Sequence, residues 1–519
     1  MDFRYILLLF TSLTFSDAYK VLFIGIFNGK SHSMFLQSFV KSLLNRGHEV
    51  TFLTSQSFMK HTNSTNYSEV LIDPPFDLKS SWTQDKLTDM TDLSLFKSIL
   101  ITLSMTKVMN EYAFENPNVQ KLIHSSDLNF DVVINEQFFA DSFLMFAHKF
   151  NAPIITICPF GITDHIDQHM GLITPISNVP HWILPYTDNM SFIERWHNAV
   201  ASIFDFIMYR FVYLPTEENL AKKYFAHLGP LPSLNDLLNS ISVVFVNRHR
   251  ALSPPRPAMP GTISIGGAHI KDANPLPNEL QTFLDESTDG VIYFSLGTII
   301  ESSKLPKEKI QAFLDSFRHL KQRVLWKFED ETLENVPSNV MIKKWMPQND
   351  ILAHPNVILF ISHGGLFGTS ESLYHGVPLL LIPFFGDQHR NAHRIQTAGY
   401  GKFILFAEVT KELVSKKIDE LISDKTFLNR AKQTSAIFKD NLAHPMDEAM
   451  FWIEHVCKFK GAKHLKSHAV NMSWFTYLIL DVILANLIIA LVIILVLYKL
   501  AKKLLSKNKT KEESRKKHN

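Results

Sequence analysis

Trp345-Met346-Pro347-Gln348-Asn349-Asp350, then Phe360-Ile361-Ser362-His363-Gly364-Gly365, Glu371, His375-Gly376-Val377-Pro378 and Pro383-Phe384-Phe385-Gly386-Asp387-Gln388 follow one another in a single stretch of the chain. The apolar run 357–362 predicts a buried parallel strand that enters Ser362-His363-Gly364-Gly365 and opens a helix closed by Gly376. A second apolar run, 377–383, leads to Asp387-Gln388. Strand, glycine turn and helix in this order are the unit of a doubly wound α/β sheet, whose ligands bind at the carboxyl ends of the strands. N–H groups at the helix start can cradle a diphosphate, and glycines let the backbone come close. His363 can donate a hydrogen bond to the same phosphates. Trp345 can stack on a flat base with Gln348 at its polar edge, and Glu371, further into the helix, can accept two ribose hydroxyls. Taken singly, each has a plain alternative: a core tryptophan, a solvated carboxylate, a turned corner.

Outward from this stretch the same alternation continues. Runs at 291–295, 324–328 and 340–344 read as further strands, and Ser295-Leu296-Gly297-Thr298 after the first of them forms a second phosphate-side loop. Pro254, Pro255, Pro257 and Pro260 mark 253–261 as an interdomain linker. Before it, runs at 19–26, 49–54 and 130–134 read as strands of another parallel sheet. A helix is expected from Met34 to Leu44, closed by Gly47, with Ser31-His32-Ser33 in the loop before it. The apolar stretch Leu93 to Met109 reads as pocket lining, membrane contact or ordinary core helix. Thr426 to Lys458 is expected to cross back and close the two-domain unit.

The ends carry a different message. Trp474 to Tyr498 is apolar, long enough to span a bilayer and flanked by Trp474, Tyr477 and Tyr498. After it, nine Lys/Arg stand against Glu512 and Glu513, so a net charge of +2 hides a basic tip on a mildly acidic body. That distribution disfavours nucleic acid as a partner, which needs a basic face on the folded domain, and by the positive-inside rule puts the tip in the cytosol. Arg4, the apolar run Tyr5 to Phe15 and Ser16-Asp17-Ala18 read as a cleaved signal peptide. Sequons at Asn63, Asn66, Asn189 and Asn471 then fall on the lumenal side. Cys158 and Cys457 make no disulfide framework, so a packed core carries stability. No metal-ligand spacing of Cys and His is present. The expected order is a signal peptide 1–18, a first domain 19–252, the linker 253–261, a second domain 262–473, a transmembrane helix 474–498 and a tail 499–519.

The stretch from Trp345 to Gln388 strongly resembles the signature of the UDP-glycosyltransferases, in the form carried by membrane-bound UDP-glucuronosyltransferases. The resemblance extends over nearly the whole chain, including signal, anchor and the dilysine-like end Lys516-Lys517-His518-Asn519 of endoplasmic-reticulum membrane proteins. It implies the α/β fold class: a GT-B arrangement of two Rossmann-like domains plus one C-terminal transmembrane helix, type I in the endoplasmic reticulum, with the catalytic domains in the lumen. The implied reaction is inverting transfer of glucuronate, or of glucose, from a UDP-sugar to a hydroxyl of small lipophilic acceptors. Donor contacts fall to Ser295, Gly297, Thr298, Trp345 and Gln348 (on uracil), His363, Gly364, Gly365, Gly368, Glu371, and Asp387 and Gln388 (on the sugar).

The resemblance makes His32 the general base and Glu136 its carboxylate partner, with Asp141 as the alternative. It implies no cofactor beyond the co-substrate and no metal. Two positions depart from the pattern: Glu136, where many members have Asp, and Phe367, where vertebrate members often have Asn. Arg390 is a candidate cation for a glucuronate carboxylate. The alternatives are a UDP-glucosyltransferase on the same scaffold and a noncatalytic lumenal binding protein; association into homo- or hetero-oligomers is left open.

Overall fold

The apolar runs form two parallel sheets in the computed structural model, which describes residues 18–62, 64–76, 94–161 and 164–516. The expected signal segment before residue 18, the sequon Asn63 and the terminal Lys517-His518-Asn519 lie outside the described residues. Residues 1–466 make one compact unit and 467–519 another, and each is described by itself.

The first sheet comprises β1 (Lys20–Gly25), β2 (Glu49–Thr54), β3 (Tyr67–Leu71), β4 (Val132–Glu136), β5 (Ile154–Cys158), β6 (Val243–Val246) and β7 (Thr262–Ser264), in the order β3-β2-β1-β4-β5-β6-β7. The second comprises β8 (Val291–Ser295), β9 (Arg323–Lys327), β10 (Val340–Lys343), β11 (Val357–Ser362), β12 (Leu379–Leu381) and β13 (Gly401–Phe403), in the order β10-β9-β8-β11-β12-β13. Parallel strands are joined by crossovers that cover both faces, so their sequences are continuously apolar rather than alternating; β4, β5, β6, β8 and β12 are buried at every residue. In each sheet the strand order reverses beside the first strand, between β1 and β4 and between β8 and β11. Such a reversal leaves a crevice at the carboxyl ends, where ligands bind.

The domain boundary differs from the expected one. β7 follows the proline segment and pairs with β6, so the first sheet draws a strand from beyond residue 261. The expected return stretch is two helices. Lys425–Lys439 packs on the second domain, its Ser435 Oγ donating to the Tyr374 carbonyl. Pro445–Phe459 starts on a proline suited to a first helical position and buries Met446, Met450, Ile453 and Val456 against Val21, Phe39, Val132 and Phe245 of the first domain.

In the second unit, the expected span 474–498 is broken near its start. Trp474–Tyr477 is a short helix, Ile479 has φ 51°, and the long helix is Leu480–Lys516. Its portion Leu480–Lys507 is long and apolar enough to cross a membrane.

Candidate active site

Both strand-order reversals open onto one cleft of about 1650 Å³. On the first-domain side, the helix Lys30–Asn45 begins four residues earlier than Met34, so His32 sits in its first turn rather than in a loop. Ser31 and His32 line the cleft, whereas Ser33 is buried. His32 Nδ1 is 2.6 Å from Glu136 Oε1 at the end of β4. A carboxylate only accepts hydrogen bonds, so Nδ1 carries a proton, and the neutral imidazole held this way has its lone pair on Nε2. The Glu136 side chain is 3% exposed and that of His32 14%, which leaves the imidazole as the reachable member of the pair. Phe27 and Phe138 flank the imidazole, with ring centroids 4.7 and 5.2 Å away.

Asp141, the other carboxylate considered, is fully buried elsewhere. It accepts from Gln137 Nε2 at 2.7 Å and from the Tyr209 hydroxyl at 2.8 Å, and burial pushes its carboxyl up. Of the stretch read as pocket, membrane contact or core, Leu93 lies outside the described residues and 95–109 fall in the helix Leu95–Glu115, whose Phe96, Thr102 and Met105 line the cleft together with Phe160, Trp182 and Leu184.

On the second-domain side, His363 follows β11 and Gly297 follows β8. A Cβ at Gly297, whose φ is +85°, would fall 2.5 Å from the His363 ring, and one at Gly365 would fall 2.5 Å from its Nε2. Glycine at both positions therefore lets two backbone turns close on the imidazole. Burial holds that imidazole down to about 4, with Lys327 adding to the effect, so the ring is neutral near pH 7. Gly365 is the N-cap of the helix Leu366–His375, and Gly364 has φ +86°. Ser295 Oγ accepts from the Gly297 N–H at 3.3 Å, and Thr298 lines the cleft beside them.

Glu371 accepts from Gln348 Nε2 at 2.6 Å. Burial pushes its carboxyl up to about 7, against the opposing pull of that bond. Gly368 serves this pair: a Cβ there would lie 3.2 Å from Gln348 Nε2. Trp345 is 48% exposed, and Lys30 Nζ from the first domain stands 3.4 Å from its ring centroid. One face of the indole therefore holds an ammonium, and only the other is left for a base.

Gln388 Oε1 accepts from the N–H groups of Phe384 and Phe385, at 2.8 and 3.3 Å, which leaves its amide N–H groups to donate into the cleft. Asn391 donates to Asp387 Oδ2 and to the Gly364 carbonyl, both at 2.9 Å, tying the Asp387-Gln388 end to the glycine turn. Burial raises the Asp387 carboxyl, and Arg390 opposes the rise. Phe367 packs between Phe35 and His269, with centroids 5.2 and 5.1 Å away, and so joins the domains by apolar contact.

Arg390 does not join the cleft. It lines a neighbouring cavity of about 330 Å³ and approaches Gly161. Among the described residues no arginine lines the main cleft. Lys30, His269 and Lys327 are among the residues that do and that were not singled out from the sequence. Lys327 ends β9 next to β8 and pairs with Glu329 at 2.7 Å. Its place at a strand's carboxyl end was a usable signal. Lys30 and His269 arrive only through tertiary packing. Among the described residues no group of His, Cys, Asp or Glu is arranged to hold a metal ion.

Residues 20–516 match the family model described as UDP-glucoronosyl and UDP-glucosyl transferase. The chain is 36% identical over 490 residues to UDP-glucosyltransferase 2 of Dactylopius coccus, an alignment covering 93% of each chain. It is 30% identical over 482 residues to human UDP-glucuronosyltransferase 1A1, covering 90% of this chain and 88% of that one. Among solved structures, a UDP-glucose: anthocyanidin 3-O-glucosyltransferase in complex with UDP superposes with a TM-score of 0.54 at 17% identity, over 86% of this chain and 100% of that one, a likeness of fold.

Proposed function

Because the chain belongs to the UDP-glucoronosyl and UDP-glucosyl transferase family and is therefore a UDP-glycosyltransferase, we propose that it transfers glucose, rather than glucuronate, to hydroxyls of lipophilic acceptors by one inverting displacement. The observation that carries the mechanism is the 2.6 Å contact of His32 with Glu136, on a cleft whose other wall is the glycine-lined turn at His363. His32 Nε2 takes the acceptor's proton, the oxygen attacks the anomeric carbon, and UDP leaves toward the helix start. Glu136 stabilises the imidazolium that forms. The diphosphate is met by the N–H groups of the Gly365 turn, by His363 and by the charge of Lys327. Each of these contacts strengthens as the leaving group gains charge. The UDP-sugar is the only co-substrate this chemistry needs.

The donor reading rests on the absence, among the described residues, of an arginine lining the cleft. A C6 carboxylate is recognised best by a planar, bidentate guanidinium, and the one cation considered for it, Arg390, turns into the neighbouring cavity. Asp387 and Gln388 offer an acceptor and a donor to neutral sugar hydroxyls. Microsomes containing the protein, incubated with a panel of phenols and either UDP-glucose or UDP-glucuronate, are expected to yield hexose adducts by mass spectrometry. Hexuronic adducts alone would overturn the donor, and no adduct with either would overturn the transferase reading. Aromatic walls at Phe27, Phe138 and Phe160 discriminate weakly among apolar shapes, so a broad acceptor range is expected.

Donor binding carries a pH signature. The Glu371 carboxyl is pushed up to about 7 in the free protein, and the ribose hydroxyls we assign to it bind its charged form. UDP affinity is therefore expected to fall as pH drops from 8 to 6. UDP itself takes up a proton near pH 6, so the readout is the difference between the protein and Glu371→Gln, whose slope is expected to be shallower. Equal slopes would remove Glu371 from the ribose site.

We assign residues 19–473 to the lumen of the endoplasmic reticulum, with the apolar part of Leu480–Lys516 crossing its membrane. Asn66, Asn189 and Asn471 are exposed, as glycan acceptors must be. Endoglycosidase H is expected to increase the gel mobility of the microsomal protein, and Asn189→Gln to remove one step of that change. A chain unaffected by the enzyme would place these residues on the cytosolic side.

A further inference from the structure

His269 follows β7 and lines the donor end of the cleft, where none of the roles above uses it. Its side chain is 10% exposed, and neither Nδ1 nor Nε2 has a hydrogen-bond partner within the protein. Buried polar groups left unpaired are rare and call for an explanation. The ring does not swing freely, because Phe35 of the first domain and Phe367 of the second stand edge-on to it, with centroids 5.7 and 5.1 Å away. Burial holds the imidazole down to about 4, so near pH 7 it has one N–H to give and one lone pair.

What it faces is the Glu371 carboxylate. Nε2 lies 3.9 Å from Glu371 Oε1, too far for a direct hydrogen bond. An oxygen seated off the line between them meets both at about 2.8 Å, an ordinary hydrogen-bond length. The other carboxylate oxygen is already engaged by Gln348, so Oε1 is the one open to a ligand.

We propose that His269 reads the nucleotide's ribose: its Nε2–H donates to the hydroxyl whose own proton goes to Glu371. The proposal rests on the reading of Glu371 as the ribose carboxylate and adds a second arm to it. Both arms are lost on one carbon when that hydroxyl is absent, which makes the pair a device for preferring ribonucleotide over deoxyribonucleotide donors. A site built around a hydroxyl rejects the analogue lacking it because its own polar groups are then left unpaired.

The test is titration calorimetry on the full-length protein in detergent with UDP, 2′-deoxy-UDP and 3′-deoxy-UDP. The variants are His269→Phe, which keeps a ring between Phe35 and Phe367, His269→Gln, which restores an amide donor, and Glu371→Ala. The unaltered protein is expected to bind one of the two deoxynucleotides about a hundredfold more weakly than UDP, the size of two good hydrogen bonds. His269→Phe is expected to weaken UDP about tenfold while changing that same deoxynucleotide less than about twofold, and His269→Gln to recover part of the loss. Equal weakening of all three nucleotides by His269→Phe, or none, overturns the proposal. If Glu371→Ala also fails to distinguish the three, the ribose reading falls and takes the proposal with it. If Glu371→Ala distinguishes them and His269→Phe does not, only the role of His269 falls.

Discussion

Replacing His32 with Ala is expected to lower turnover by about 10²–10⁴-fold, the usual contribution of a positioned general base, with UDP affinity essentially unchanged. The separation follows from geometry: His32 belongs to the first domain's helix Lys30–Asn45, whereas His363, Gln348 and Glu371 belong to the second domain. Glu136→Gln is the sharper companion. Its shape is retained, yet its amide can donate to Nδ1 and drive the imidazole proton onto Nε2, the atom that must accept. Its loss is expected to come within about tenfold of that of His32→Ala, as carboxylate-to-amide changes do where the partner fixes the tautomer. Turnover measured at saturating donor and acceptor checks both. Near-normal turnover in either variant would remove the pair from the chemistry, and lost UDP binding in His32→Ala would mean that the substitution acts through the fold.

The second large effect is expected at His363. His363→Ala removes the neutral donor that we assign to the departing diphosphate, and a loss of about 10²–10³-fold in turnover is expected by analogy with oxyanion donors. The neutral ring, held near 4 by burial, gives this loss no pH dependence between 6 and 8. Gly365→Ala reaches the same ring from outside, since the added Cβ would fall 2.5 Å from Nε2. The ring must then move, and a raised KM for the UDP-sugar together with reduced turnover is expected. Initial rates over a range of UDP-sugar concentrations decide it; unchanged KM and turnover in Gly365→Ala would show that the two glycine turns do not fix the imidazole.

The strands and turns of the second-domain side of the cleft were legible because their residues are close in sequence and each sits at a recognisable punctuation mark. β8 and β11 have the bounds that their apolar runs gave, and Gly297, Gly364 and Gly365 stand where positive φ or close approach demands glycine. β7 and β13, with three residues each, carry too little pattern to be seen and exist because a neighbouring edge accepts them. The early start of the His32 helix was hidden for a similar reason. Its N-cap is Gly29, with no side-chain hydrogen bond, and its first turn is polar toward the cleft, so neither a capping residue nor apolar periodicity announced it. Choosing between Glu136 and Asp141 needed coordinates, because five residues of separation across a strand end put one beside His32 and the other beneath Tyr209. Whether the candidate Arg390 shares a cavity with Asp387 also needed coordinates, because it lies one helical turn further on and lines the neighbouring cavity.

The return helix Pro445–Phe459 makes the first domain discontinuous in the chain, with the second inserted whole between its parts. A chimera joined once at the proline segment inherits, along with a foreign donor-binding domain, a lid of foreign sequence for its own first sheet. Met446, Met450, Ile453 and Val456 form that lid's underside, against Val21, Phe39 and Phe245. Exchange of acceptor halves among relatives is thus governed by a seam some two hundred residues away from the junction itself, and parents whose seams match in volume are the ones whose halves are interchangeable.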